Sequence, residues 1–145
     1  MSLTILTAPS VEPISLAEAK AHLRVTTDAE DSAIQRLVVA AREQVEAECG
    51  LALIATAFRQ SFDCKPRAPI PYARGPLISV DHTSDDGLTI DFTAGFGTTA
   101  DAVPAGLKQA VLALVAWGFE HRGDDAAAPI PVAEPWLSPW RKLRL

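Results

Sequence analysis

The chain has 145 residues, 48% hydrophobic and 21% charged, the balance of a single globular domain able to build its own core, which excludes wholesale disorder. A formal net charge of −5 and a pI near 5.1 argue against a duplex-binding surface, which needs a basic patch. Two cysteines, Cys49 and Cys64, are too few for a secreted disulfide framework and read as free thiols. The opening Met1-Ser2-Leu3-Thr4 has neither a basic stretch nor a long apolar core. The longest apolar run, Ala110 to Phe119, is about half of what a bilayer span requires. The expectation is a cytoplasmic protein without a membrane partner.

Residues 1–14 read as extended and carry Pro9 and Pro13. Ser15-Leu16-Ala17-Glu18 is a capping box and predicts a short helix from about Leu16 to Leu23. Thr27-Asp28-Ala29-Glu30 repeats the signature and predicts the start of a second helix, with Asp28, Glu30 and Asp31 favoured by the dipole of its first turn. Ile34, Leu37, Val38, Ala41 and Val45 then fall on one helical face. Arg36, Arg42, Glu43 and Glu46 lie mostly off that stripe, and Glu46 with Glu48 reads as a solvated face. An Arg42–Glu46 pair four residues apart is expected to contribute only a few tenths of a kcal/mol. Gly50 suits the left-handed position that closes a helix of about 20 residues.

From Leu51 to Phe62 the residues alternate, which predicts a strand. Cys64 to Pro76 holds four prolines and predicts a loop or extended arm. Leu77 to His82 and Leu88 to Thr93 are two more short strands, joined by a turn at Asp85-Asp86-Gly87. The middle of the chain, about 52–93, is therefore a small antiparallel sheet or hairpin. Gly95-Phe96-Gly97 lacks the ending of a phosphate-binding loop and reads as backbone geometry at positive φ. Pro104 opens the last long helix, which is apolar nearly all round through Gly118 and Phe119 and is either buried or set against another subunit. Residues 123–135 read as a linker. The tail from Trp136 to Leu145 carries two of the three tryptophans and three positive charges in an acidic protein. The expected fold class is α+β, mainly α. It combines one short and two long helices with the small sheet and an extended C-terminal tail. The organisation is a domain over 1–123 and a linker with docking tail over 124–145.

None of these elements carries a chemical signature. His22, His82 and His121 sit on separate elements, away from metal-ligand spacing, and neither cysteine belongs to a CxxC pair. A Cys64 thiol with His82, or Cys49 with His22, has no local motif, and a small apolar cysteine is the simpler reading. Asp85-Asp86-Gly87 lacks the further spaced acids of a cation loop. No catalytic residue, cofactor or metal site is expected. The tail is different, because exposed tryptophans are enriched at interfaces.

In order and spacing the chain resembles the small head–tail connector, or adaptor, proteins of long-tailed bacteriophages and gene transfer agents. The resemblance lies in PISLAEAKAHLRV (Pro13 to Val25), DAEDSAIQRLVVAAREQVEAECGLAL (Asp28 to Leu53), TAFRQSFD (Thr56 to Asp63), and IDFTAGFG followed by VPAGLKQAVLALVAWGFEHRG. It departs between Val80 and Ile90, where this chain has only a tight turn in place of a longer hairpin. The resemblance implies a structural protein of the particle neck, assembled in the bacterial cytoplasm as an oligomeric ring of about twelve copies. Its implied partners are the portal protein above, neighbouring adaptor subunits, a downstream stopper or tail connector, and DNA sliding through the lumen without specific binding. An acidic protein suits such a conduit, because like charges repel. The expected portal-docking residues are Trp136, Leu137, Trp140, Arg141, Lys142, Leu143, Arg144 and Leu145. A cut after Pro135 is expected to abolish particle joining and leave the fold intact. The alternatives are a small thiol enzyme using Cys64 and, less favoured, a nucleic-acid-binding regulator.

Overall fold

In the computed structural model, which describes residues 1–123 and 130–141, the Ser15 hydroxyl accepts from the Glu18 N–H at 3.1 Å and the Glu18 carboxylate accepts from the Ser15 N–H at 2.8 Å. This reciprocal cap starts α1 (Leu16–Leu23) where the sequence places it. Arg24, at φ 58, closes the helix in the left-handed conformation, and its neighbour Val25 donates back to the Lys20 carbonyl. The second predicted capping box does not form. Helix α2 (Asp31–Cys49) begins three residues later than Asp28, with no side-chain cap at Glu30. Lys20, on the last turn of α1, instead takes both Asp28 and Asp31 at 2.7 and 2.8 Å, so a contact between elements replaces the local one. Gly50 ends α2 at φ 65 as expected.

The sheet has four antiparallel strands in the order β1-β2-β4-β3. They are β1 (Ser2–Thr7), β2 (Thr56–Ser61), β3 (Leu77–Thr83) and β4 (Thr89–Ala94). The extended N-terminus is thus the first edge strand, paired to β2 from Ser2 opposite Ser61 to Thr7 opposite Ala57. The predicted strand over Leu51–Phe62 is shorter than expected. Leu51, Ala52, Leu53 and Ile54 are consecutively buried, without the alternation of a half-exposed strand, and lead from α2 into the core. The β3–β4 turn forms at Asp86-Gly87, where Gly87 has φ 71 and the Asp86 carboxylate accepts from the Leu88 N–H.

Helix α3 (Ala105–Glu120) crosses α2 so closely that a Cβ on Gly118 would sit 2.8 Å from a Leu37 methyl. Its other side is covered by the C-terminal segment. A 3-10 turn at Ile130–Val132, the short α4 (Glu134–Leu137) and a further 3-10 turn at Ser138–Trp140 bring Ala133 and Leu137, both fully buried, into the same core as Ile34, Val45, Leu107 and Leu114. Part of the apolar surface of α3 is therefore covered within the chain, while Leu112, Trp117 and Phe119 stay partly exposed. A second, smaller cluster of Ala52, Phe58, Phe92 and Ala94 lies on the sheet, roofed by Tyr72 from the proline-rich loop. The Gln60 side chain fixes that loop, donating to the Pro71 carbonyl and accepting from the Ala73 N–H. The fold is α+β, with residues 51–54 leading from the helical core into the sheet.

Candidate functional site

Among the described residues, those that could carry chemistry remain apart. Among the described residues, no group of three or more His, Cys, Asp or Glu side chains could hold a metal ion. Cys49 is buried, and burial pushes its thiol above the usual range, away from the reactive thiolate. Cys64 is exposed on the loop after β2. His22 and His82 are exposed. His121 stacks on Trp117 with ring centroids 4.1 Å apart, and its Nδ1 lies 2.8 Å from the Trp117 carbonyl oxygen at the end of α3. No helix among the described residues is long and apolar enough to cross a membrane.

The polar group that the sequence reading misplaces is the pair Arg42–Glu46. Both residues are buried on α2, contrary to the expected solvated face. Arg42 donates to Glu46 and to Glu12, each at 2.8 Å, and Glu46 accepts the Leu53 N–H at 2.8 Å. Burial pushes the Glu46 carboxyl above the usual carboxylate range, against the pull of the Leu53 N–H and of Arg42. Burial also works against the Arg42 charge, but Glu46 and Glu12 more than offset it, so its pKa is raised and the guanidinium stays charged. The network ties the N-terminal arm, α2 and the chain entering the sheet. The Arg/Glu spacing is visible in the sequence. Its burial is not, because Glu12 and Leu53 come from distant positions.

The sheet has one polar face. Arg59 and Asp91, opposite each other on β2 and β4, form a two-pronged pair with both N···O distances 2.7 Å. The Arg59 hydrogen bond holds the Asp91 carboxyl below its usual range. Both edge strands leave large apolar side chains in solvent: Ile5 and Leu6 on β1, and Leu77, Ile78 and Val80 on β3.

The predicted docking tail is divided. Leu137 is fully buried in the helical core. Trp140 is half-buried and meets Phe96 edge-to-face, centroids 5.6 Å apart. Arg141 pairs with Glu134 at 2.9 Å and with Glu48 on α2. Trp136 faces solvent at 37% exposure, although a neighbour of the buried Leu137. Lys142, Leu143, Arg144 and Leu145 lie outside the described residues, as do residues 124–129 of the predicted linker. The cut after Pro135 would remove Leu137 and Trp140 from the chain's own packing, so it is not neutral to the fold.

The described residues thus build a helical core joined to a four-stranded antiparallel sheet whose two edge strands carry exposed apolar side chains. Residues 13–130 match the family described as phage gp6-like head-tail connector protein, and the chain belongs to that family. It is similar over its full length to chains of three solved assemblies. One is the neck of an empty gene transfer agent particle computed with C6 symmetry, at 27% identity, with 97% of that chain covered and a TM-score of 0.77. Another is the virion of a native gene transfer agent particle, at 26% identity, 97% covered and TM-score 0.74. The third is the neck of a native particle computed with C12 symmetry, at 26% identity, 97% covered and TM-score 0.66. No curated protein matches.

Proposed function

We propose that this head–tail connector sits in the neck of a phage-like particle as a ring of about twelve copies beneath the portal, extending the DNA channel toward the tail. The observation that carries this reading is the full-length likeness to neck chains, at a TM-score of 0.77 and 27% identity. The net charge of −5 suits a lumen through which DNA passes without sticking. The role is structural, with the portal above, like subunits beside, and a stopper or tail connector below.

The C-terminal tail is the portal-docking element in this reading. Leu137 and Trp140 root it on the body, Arg141 fixes its direction against Glu48, and Trp136 and residues 142–145 make the contact. Electron microscopy and co-purification of the full chain with and without its portal test the proposal. Rings that bind the portal are expected. A chain that stays monomeric with the portal present and fails to co-elute with it would overturn the reading.

A further inference from the structure

The strand register aligns one apolar row across the whole sheet. Ile5 lies opposite Phe58, Phe58 opposite Phe92, and Phe92 opposite Val80. Directly opposed residues share a face of the sheet. The two inner members are packed, with Phe58 and Phe92 stacked at 5.5 Å and 4% and 0% exposed. The two outer members are not: Ile5 is 55% and Val80 47% exposed. At the irregularities of the two edges, Leu6 and Ile78 add further exposed apolar bulk.

Natural edge strands are ordinarily blunted by charge, proline or a bulge, because a bare edge recruits another strand. The β1 sequence SLTILT has neither charge nor proline, and β3 (LISVDHT) has its one acid at Asp81, beyond the uncharged Leu77–Val80; both edges carry a register irregularity and still leave apolar side chains in solvent. Among the described residues, neither of these edges pairs with a further strand. The strand order β1-β2-β4-β3 is antiparallel throughout, so the two edges run in opposite directions. A second copy placed head to tail brings its β3 antiparallel to β1 of the first, which continues the alternation of the sheet. Repetition of two different patches in this way is what closes a cyclic ring, whereas a twofold contact stops at a dimer.

We infer that β1 of one copy abuts β3 of the next, with Ile5 and Leu6 against Ile78 and Val80, so that the apolar row continues from copy to copy. The irregularities on both edges interrupt a ladder of backbone bonds, and apolar side chains carry most of the contact. The occupant is a second copy of this chain, because the row is bare at both ends in the same register and the similar neck chains stand in cyclic symmetry. The inference rests on the connector reading for the arrangement of copies.

The test is a cysteine pair, Ile5→Cys with Val80→Cys, in a Cys64→Ser chain of full length. It is oxidised both in rings bound to the portal and in the concentrated chain alone. The expected result on a non-reducing gel is a ladder of multimers from the double variant and none from either single variant. Dimers from a single variant would mean that like edges meet, and would overturn the inference. Rings visible in the microscope without a ladder would overturn it too, while leaving the connector reading intact. If no ring forms with the portal, the connector reading fails, and the chain alone still decides the edge contact by ladder or its absence. A second variant, Ile5→Asp, should keep the far-ultraviolet circular dichroism and melting of the parent and lose self-association. Self-association at the parental level in that variant would also overturn the inference.

Discussion

The Glu46 carboxylate accepts the backbone N–H of Leu53 at 2.8 Å, seven residues down the chain and past the end of its helix. That bond turns the chain out of α2 and into the core, where Leu53 and Ile54 are fully buried. The other carboxylate oxygen holds Arg42, which in turn holds Glu12. One buried acid thus links the N-terminal arm, α2 and the segment that leads into the sheet.

Removing one partner of this buried pair leaves the other uncompensated. Arg42→Met should therefore cost about 3–5 kcal/mol. Urea denaturation of the variant checks this, and a loss under about 1 kcal/mol would show that the pair behaves as an ordinary surface bridge.

Gly95 follows β4 at φ 147, and a Cβ there would lie 2.6 Å from the Ala55 nitrogen. Backbone cannot move aside as a side-chain end can. Gly95→Ala should cost about 2 kcal/mol or more through strain and clash. Gly106→Ala, where a Cβ meets nothing within 4 Å, serves as the comparison in the same thermal melts.

Asp91 titrates below its ordinary value because Arg59 bonds its charged form. A carboxylate depressed in the folded state stabilises above its unfolded pKa, about 4, and that stability is lost as pH falls through the folded value. Asp91→Asn should flatten the acid limb of stability against pH and leave the neutral-to-basic limb parallel to the parent. An acid limb identical to the parent's would mean that Asp91 does not carry it.

Leu137 and Trp136 are adjacent and should behave oppositely. Leu137→Ala opens a cavity in the helical core and should cost about 2–5 kcal/mol. Trp136→Ala removes a ring that is 37% exposed and should cost less stability than Leu137→Ala, while, on the docking proposal, weakening capture by the portal. Melting temperature and portal co-elution, measured on both variants, separate the two roles.

A cut after Arg141 removes Lys142–Leu145 and keeps Leu137, Trp140 and the Arg141 pairs. On the proposed docking reading it should weaken portal binding about tenfold, or about 1.4 kcal/mol. Undiminished binding would overturn the assignment of portal docking to these residues.

Features that depend on neighbours along the chain were legible in the residues. The Ser15/Glu18 box set the start of α1, Gly50 the end of α2, and the Ile34–Val45 spacing its buried stripe, because each depends on contacts within one or two turns. The order of these elements also carried the family resemblance. The tertiary structure decided what depends on distant partners. SLTILT became an edge strand only through β2, with partners from Thr7 opposite Ala57 to Ser2 opposite Ser61. Glu46 became a buried acid only through Leu53 and Arg42, and Lys20 displaced the capping box predicted at Thr27. Leu137 and Trp140, alike with Trp136 as sequence, were drawn onto α3 and Phe96 because α3 has a second apolar face to cover. Periodicity registers that a face is apolar, and only packing assigns what covers it.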